Sequence, residues 1–207
     1  VQRPARPPGP WVWLHAPDPG YAASMVQLAR RIIADKIAGV LLTCPEALEI
    51  ESPRLIQQRP PGDTAAEARA FLAHWQPDLA VLADGELRPA LLFEAESQHL
   101  PMLMVEGRRP YFPEGRSGWY PGLIRSSLAF FREIMVLDDA AARTFRKAGA
   151  SNISLSGRME EPSAALSYHE PERANLAQLM ATPPRWRAAE APPAEEAAII
   201  AAHRSAL

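Results

Sequence analysis

The chain has 207 residues, 47% of them hydrophobic, a formal net charge of −2 and an isoelectric point near 6.2. This length and apolar content suffice for one large or two small domains with a real core. The weak negative charge gives no overall attraction to DNA or RNA, so nucleic acid is not expected as a partner. The single cysteine, Cys44, excludes an internal disulfide and a multi-cysteine zinc site and fits a reducing compartment.

The sequence contains no run of about 18 apolar residues, the length that spans a bilayer. Its first residues also lack the apolar core of a signal peptide. We therefore expect a soluble, cytoplasmic chain. Because the sequence begins with Val1 rather than Met, a processed chain or an upstream membrane anchor stays an open alternative.

Short apolar runs alternate with amphipathic segments, the pattern of βα units in a doubly wound, mostly parallel α/β sheet. Strands are predicted at 11–15, 39–43, 79–83, 102–105, 134–137 and 153–156. The first helix follows the first strand, and its apolar spacing predicts a face that packs on the sheet. That face comprises Met25, Leu28, Ala29, Ile32 and Lys36.

Local signals mark the ends of the later helices. Thr64 and Glu67 form a capping box, in which both side chains are expected to satisfy free backbone amides. Pro89 suits the first position of a helix, where its missing amide hydrogen is not needed. Asp138 is predicted to cap a helix that Gly149 ends.

Pro, Glu and Ala crowd residues 162–193, so we expect the compact domain to comprise residues 1–160. Residues 161–207 are predicted to hold a crossover helix at 171–180, a strand at 185–189 and an Ala-rich helix at 194–207. One such βα pair cannot form a core alone. It either packs back on the first domain or is the start or remnant of a second one.

In an open α/β sheet, ligands bind beyond the carboxyl ends of the strands. His15 ends the first strand, and Asp18 and Gly20 follow in a turn before a helix whose first amides could hold an anion. Pro17 and Pro19 remove two of those donors. A rigid turn with a hydrogen-bonded histidine is therefore the structural alternative.

Two further strand exits carry charged residues. Asp84 and Glu86 follow the strand at 79–83; a carboxylate there is a candidate catalytic group, or it stabilises a positive helix end by under about 1 kcal/mol. Arg108 and Arg109 follow the strand at 102–105 and suit a carboxylate or phosphate, or are solvated surface arginines. The histidines show no metal-ligand spacing, and no metal or cofactor is expected.

At these residues the chain resembles the 3-deoxy-D-manno-octulosonic acid (Kdo) transferases, in order and over nearly its whole length. The family pattern Trp-x-His-Ala-x-Ser-x-Gly-Glu stands here as Trp13-Leu-His15-Ala16-Pro-Asp18-Pro-Gly20-Tyr21. The pattern Glu-Ser-Glu-Leu-Trp-Pro-Asn stands as Asp84-Gly85-Glu86-Leu87-Arg88-Pro89-Ala90. Asn-Ala-Arg stands as Glu106-Gly107-Arg108, and Gly-Asn-Leu-Lys as Gly157-Arg158-Met159-Glu160.

The resemblance implies the N-terminal, acceptor-binding half of a GT-B glycosyltransferase, whose second domain holds the nucleotide donor. It implies transfer of Kdo from CMP-Kdo to the lipid A precursor or another glycolipid, in lipopolysaccharide synthesis. The donor is then a CMP-activated sugar rather than a bound cofactor, and the place is the cytoplasmic face of the inner membrane, with peripheral contact. Oligomeric state is left open. The acceptor or ligand is implied to contact His15, Ala16, Gly20, Arg108 and Gly157.

Several polar residues depart from the family pattern. The family's base is the Glu of the first loop, which activates the acceptor hydroxyl for inverting displacement, and that position holds Tyr21. A phenol with an ordinary pKa near 10 is a poor base at neutral pH. The loop Ser is Asp18, the Asn is Glu106 and the Lys is Glu160, and these acids would repel an anionic donor or acceptor.

We therefore predict a divergent family member that is inactive in Kdo transfer as this isolated chain. Two alternatives stay open. In one, Asp18 or Glu86 is the base of an active glycosyltransferase with another sugar or acceptor, joined to a C-terminal domain. In the other, the chain is a non-catalytic module that binds a ligand or a protein.

Overall fold

The computed structural model describes residues 4–47, 52–113, 122–159, 170–179 and 196–206. The strands are β1 (Trp11–His15), β2 (Gly39–Thr43), β3 (Leu55–Gln58), β4 (Leu79–Ala83), β5 (Met102–Gly107), β6 (Glu133–Val136) and β7 (Ile153–Leu155). The helices are α1 (Pro19–Ala34), α2 (Ala65–Trp75), α3 (Pro89–Ser97), α4 (Leu123–Leu128), α5 (Asp139–Ala148), α6 (Glu170–Leu179) and α7 (Glu196–Ala206).

Within the described residues, seven strands form one parallel sheet in the order β3-β2-β1-β4-β5-β6-β7. The chain runs from β1 toward one edge and then returns to pair β4 on the other side of β1. The predicted doubly wound α/β fold is thereby confirmed. The strand order reverses between β1 and β4, and this is the point where such sheets bind ligands.

All six predicted strands are present, with β5 two residues longer, β6 shifted by one residue and β7 one residue shorter than predicted. β3 was not predicted. It is an edge strand whose last two residues are glutamines, and only Leu55 is buried. Its sequence therefore lacks the continuous apolar run that marks a strand covered on both faces.

The core has one layer on each face of the sheet, as the alternation along β1 shows. Trp13 points to the face covered by α2, α3, α4 and α5, where Trp75 and Phe71 are buried. Leu14 points to the opposite face, where α1 contributes Met25. Burying such large side chains stabilises the fold by about 1.5 to 3 kcal/mol each.

The predicted apolar face of α1 is correct for Met25 and Ala29, which are fully buried. It is wrong for Lys36. Because α1 ends at Ala34, Lys36 lies beyond the helix with a φ of 56° and is exposed.

The predicted helix ends are largely confirmed. Asp138 accepts from the Ala141 amide at 2.7 Å, and Pro89 is the first residue of α3. Thr64 accepts from the Glu67 amide at 3.3 Å, as expected of a capping box. The other half of the box differs, since the Glu67 carboxylate accepts from the Thr64 hydroxyl at 2.8 Å instead of from a free amide.

The chain divides into two compact units, Val1–Pro162 and Ser163–Leu207. The described part of the second unit consists of α6 and α7, which match the helices predicted at 171–180 and 194–207. The strand predicted at 185–189 lies outside the described residues. No described helix has both the length and the apolar character of a membrane span.

Candidate functional site

The candidate site is the crevice beyond the carboxyl ends of β1, β4 and β5. β1 leads into α1 on one face of the sheet and β4 leads into α3 on the other, so the two connecting loops separate. Two clefts open there. The Asp84 cleft, about 650 Å³, is lined by Asp18, Asp84, Arg109 and Asp138, among others. The Glu106 cleft, about 430 Å³, is lined by Gly20, Ser24, Gln27, Glu106 and Met159, and both clefts share Tyr21, Arg108 and Arg158.

His15 is buried at the end of β1 with both ring nitrogens occupied. Nδ1 lies 2.9 Å from the Thr43 hydroxyl at the end of β2, and Nε2 lies 3.0 Å from a Glu86 oxygen. The Thr43 hydroxyl also accepts from the Trp13 indole at 2.9 Å. Because a carboxylate only accepts, His15 Nε2 carries the hydrogen toward Glu86. The structural alternative for His15, a hydrogen-bonded histidine, describes this geometry.

Glu86 is 4% exposed and both of its oxygens are engaged. One faces His15, and the other accepts from Arg88 Nε at 2.9 Å, while Arg88 also donates to the Pro61 carbonyl at 2.7 Å. Burial alone would raise the pKa of Glu86. The hydrogen bond and charge interaction with His15 and the charge of Arg88 outweigh burial and hold that pKa below its ordinary value.

These contacts give Glu86 a structural role, as the buried partner of His15 and Arg88, and leave it poorly suited to react. A carboxyl with a lowered pKa is a weaker base, and general base catalysis requires direct reach to the proton that is removed. Glu86 is not part of the lining of either cleft. The structure therefore brings predicted residues His15 and Glu86 together, but inside the protein.

Tyr21 lies in the first turn of α1, and its hydroxyl donates to Asp84 Oδ1 at 2.6 Å. The Arg108 guanidinium lies 5.3 Å from the centre of the Tyr21 ring, in cation–π range. Burial, and then the hydrogen bond to Asp84 and its negative charge, raise the pKa of Tyr21 above its ordinary value. The phenol is therefore held protonated.

Tyr111 is a second phenol at Asp84 that was not predicted. Burial, followed by the charge of Asp84 and a hydrogen bond to it, raises the pKa of Tyr111. The Tyr111 backbone also pairs with the turn after β4, since its amide donates to Gly85 O at 3.0 Å and its carbonyl accepts from Leu87 N at 2.7 Å. Asp84 thus raises the pKa of two tyrosines, of which Tyr21 donates its hydroxyl hydrogen to this carboxylate.

The turn after β4 explains why Asp84 and Glu86 point to different places. Asp84 has a φ of 73° and Gly85 a φ of 138°, so the backbone reverses between the two carboxylates. A Cβ at Gly85 would lie 2.2 Å from the Arg109 carbonyl oxygen. Glycine is required here by both the dihedral angle and the space.

The other predicted residues of the first loop have distinct placements. Asp18 is exposed and caps α1, accepting from the Gly20 amide at 2.7 Å. Ala16 is fully buried, and its amide donates to the Thr43 carbonyl at 2.9 Å. Asp18 and Gly20 thus line the crevice, and Ala16 supports it from inside.

Three arginines follow strand ends at the crevice. Arg108 and Arg109 follow β5, and both are exposed. Arg158, which was not predicted, follows Gly157 and lines both clefts. Gly157 itself, with a φ of 74°, lies outside the lining of both clefts. In the described part of the chain, no group of three acidic, His or Cys side chains could hold a metal ion.

A sequence model of the family described as 3-deoxy-D-manno-octulosonic-acid transferase (kdotransferase) matches residues 1–160. The chain belongs to the Kdo transferase family. It is 27% identical over 110 residues to a probable mitochondrial 3-deoxy-D-manno-octulosonic acid transferase of Arabidopsis thaliana, covering 50% of this chain and 25% of that protein. It is 28% identical over 104 residues to the 3-deoxy-D-manno-octulosonic acid transferase of Rickettsia typhi, covering 47% and 22%.

This Kdo transferase family member therefore matches only about a quarter of the length of these relatives. Among solved structures, it is similar to a provisionally assigned UDP-N-acetylglucosamine 2-epimerase from Listeria monocytogenes, with 17% identity and a TM-score of 0.49. That match covers 80% of this chain and 50% of the epimerase.

Proposed function

We propose that this Kdo transferase family member is a divergent acceptor-side domain that does not by itself transfer Kdo from CMP-Kdo to the lipid A precursor. The observation that carries the proposal is the state of Tyr21, which stands where the family pattern has its base. Its hydroxyl is bound to Asp84, and its pKa is raised. A protonated phenol that already donates to a carboxylate cannot take a proton from an acceptor hydroxyl.

Charge around Tyr21 supports the same proposal. Asp18 and Glu106 stand where the family pattern has Ser and Asn, and each lines one of the two clefts. Added carboxylates disfavour an anionic donor and an anionic acceptor. A CMP-activated sugar and the phosphorylated lipid A precursor both belong to that class.

A second candidate function is glycosyl transfer to another acceptor, with Asp18 as the base and a C-terminal domain holding an activated sugar. Asp18 favours it because this carboxylate is exposed, uses Oδ1 for the helix cap and lines the same cleft as Tyr21. Glu86 is the weaker choice of base, since it is buried between His15 and Arg88.

The deciding experiment is a transfer assay with CMP-Kdo and lipid A precursor on the complete gene product. We expect no turnover by the unmodified protein and measurable turnover by Tyr21→Glu. Tyr21→Gln is the matched control, because it removes the phenol without supplying a base. Turnover by the unmodified protein would contradict the proposal and lead to Asp18→Asn. No turnover by the unmodified protein or by either Tyr21 variant would favour a non-catalytic module that binds a glycolipid or a protein.

For the location, we propose peripheral contact with the cytoplasmic face of the inner membrane, where a glycolipid acceptor is held. Arg30 and Arg31 on α1 and Arg108 and Arg109 after β5 are exposed cations that could contact anionic lipid. Co-sedimentation with vesicles containing anionic lipid, at low and high salt, tests this. Binding that does not weaken with salt, or no binding, would contradict it.

A further inference from the structure

Glu106 occupies an unfavourable position for its residue type. It is 7% exposed, and its φ of 51° lies in the left-handed region. Among non-glycine residues that region favours Asn, Asp and His, and the family pattern described above has Asn at this position. The chain thus places a longer, charged side chain where both backbone strain and loss of hydration oppose it. Such an outlier points to a role for the carboxylate.

The hydrogen-bond donors that contact Glu106 are both neutral. One oxygen accepts from the Met159 amide at 2.7 Å, and the other accepts from the Ser24 hydroxyl at 3.3 Å. Both donors are neutral, and no cation among the described residues forms an ion pair with Glu106. A carboxylate offers about four acceptor positions, so these two bonds leave capacity for a ligand.

The Glu106 cleft combines this carboxylate with groups of opposite charge. Arg108 and Arg158 line the same space of about 430 Å³ and are exposed, and Gln27 adds a neutral polar side chain. Arginine is well matched to phosphate oxygens, whereas a buried carboxylate selects a charged donor. A ligand that pairs with both the carboxylate and the arginines carries an ammonium group and a phosphate.

We propose that the Glu106 cleft binds an aminosugar phosphate, with the ammonium group on Glu106 and the phosphate on Arg108 and Arg158. That the ligand is a sugar rests on the proposed acceptor-side function. The free ammonium group is the new element, because an N-acetylated sugar has no charged donor to pair with the Glu106 carboxylate. The same chemistry is available in a free sugar phosphate and in a glycolipid headgroup.

Isothermal titration of the full chain with glucosamine 6-phosphate and N-acetylglucosamine 6-phosphate tests the proposal. We expect glucosamine 6-phosphate to bind at least about tenfold more tightly, the range of a hydrogen bond to a charged group. Glu106→Gln should remove that preference and leave the weaker binding of the N-acetylated sugar unchanged. Glu133→Gln is the matched control, since Glu133 also accepts from a serine, Ser154, but lies outside the cleft lining.

Equal binding of the two sugars by the unmodified chain would overturn the inference and leave a sugar phosphate site consistent with the proposed function. No binding of either sugar would also overturn it, whatever the outcome of the Kdo transfer assay. If Glu106→Gln does not fold, Glu106→Asn replaces it, because Asn tolerates the left-handed backbone.

The two sources of the ligand are separated with phosphatidylcholine vesicles that contain an alkyl glucosaminide phosphate. Co-sedimentation that free glucosamine 6-phosphate displaces supports the proposal with a glycolipid headgroup as the source. Tight binding of the free sugar without co-sedimentation supports it with a soluble source. Co-sedimentation that free glucosamine 6-phosphate and Glu106→Gln both leave unchanged would overturn it.

Discussion

The hydroxyl of Tyr21 and the carboxylate of Asp84 are joined by a 2.6 Å hydrogen bond across the point where the strand order of the sheet reverses. Tyr21 belongs to the helix after β1 and Asp84 to the turn after β4, so the bond links the two loops that form the crevice. Tyr21, at the position where the family resemblance implies a base, is in this chain a hydrogen-bond donor to Asp84.

We expect the Tyr21 phenol to titrate above its ordinary pKa of 10, because burial and Asp84 both disfavour its anion. The folded-state pKa is raised, so the stabilisation linked to this proton is present below pH 10 and is lost as the pH rises through the folded pKa. Ultraviolet absorbance titration of the folded protein measures this. Tyr21→Phe should remove one late-titrating phenol.

Asp84→Asn should lower the titration range of both Tyr21 and Tyr111, since both phenols owe part of their raised pKa to Asp84. Asp138→Asn is the control, because Asp138 lines the same cleft but caps α5. An Asp84→Asn titration curve that matches the unmodified protein would contradict the role given to this carboxylate.

The Glu86 carboxylate should make stability depend on pH under acidic conditions. Its pKa is lower in the folded protein than the ordinary value of 4.5, so the unfolded chain takes up the proton first as the pH falls. The contribution is fully present above about pH 4.5 and is lost as the pH falls through the folded pKa. Urea unfolding at neutral and acidic pH measures the loss of free energy of unfolding.

Glu86→Gln should be less stable by roughly 3 kcal/mol at pH 7, because it breaks a buried ion pair with Arg88. It should also lose less stability on acidification than the unmodified chain. Glu94→Gln is the control, since Glu94 pairs with an Arg69 side chain that is largely exposed. If both variants kept the acid dependence of the unmodified chain, the assignment to Glu86 would be wrong.

Thr43→Val should destabilise the protein by about 2 kcal/mol or more, because it leaves the Trp13 indole and a His15 nitrogen without their partner. The shape of the side chain is nearly kept, so the loss reports the hydrogen bonds. Thr144→Val, at an exposed site on α5, should change the free energy of unfolding by less than about 0.5 kcal/mol. Chemical denaturation of the two variants side by side makes the comparison.

Local signals in the sequence predicted the helix starts and buried strands, because these features depend on neighbouring residues. Pro89 at the start of α3 and Asp138 at the start of α5 each act within one helical turn, and the apolar run of β1 reflects burial on both faces. The family patterns also located the strand exits that form the crevice. β3 was not predicted, because an edge strand with two glutamines has no comparable local signal.

The contacts of the site residues could not be predicted in the same way, because their partners are distant in the sequence. Glu86 lies 71 positions after His15, and Thr43 lies 28 positions after it. Only the sheet order brings these three side chains together. Arg158 reaches both clefts through the segment after β7, and Tyr111 pairs with the turn after β4 through the segment after β5. Neither residue carries a local signal of its own.

Gly85→Ala should be among the most destabilising small substitutions in the crevice. Its φ of 138° is unfavourable for any other residue, and the new Cβ would lie 2.2 Å from the Arg109 carbonyl oxygen.

Gly157→Ala separates backbone strain from the Cβ clash, since Gly157 has a φ of 74° but open space around a Cβ. We expect a loss of about 1 to 2 kcal/mol for Gly157→Ala, from backbone strain alone. Gly85→Ala should lower the free energy of unfolding by about 1 to 3 kcal/mol more, because of the clash. It should also change the Tyr21 titration, because the turn carries Asp84. Equal losses for the two variants would mean that the turn after β4 relaxes and does not fix the position of Asp84.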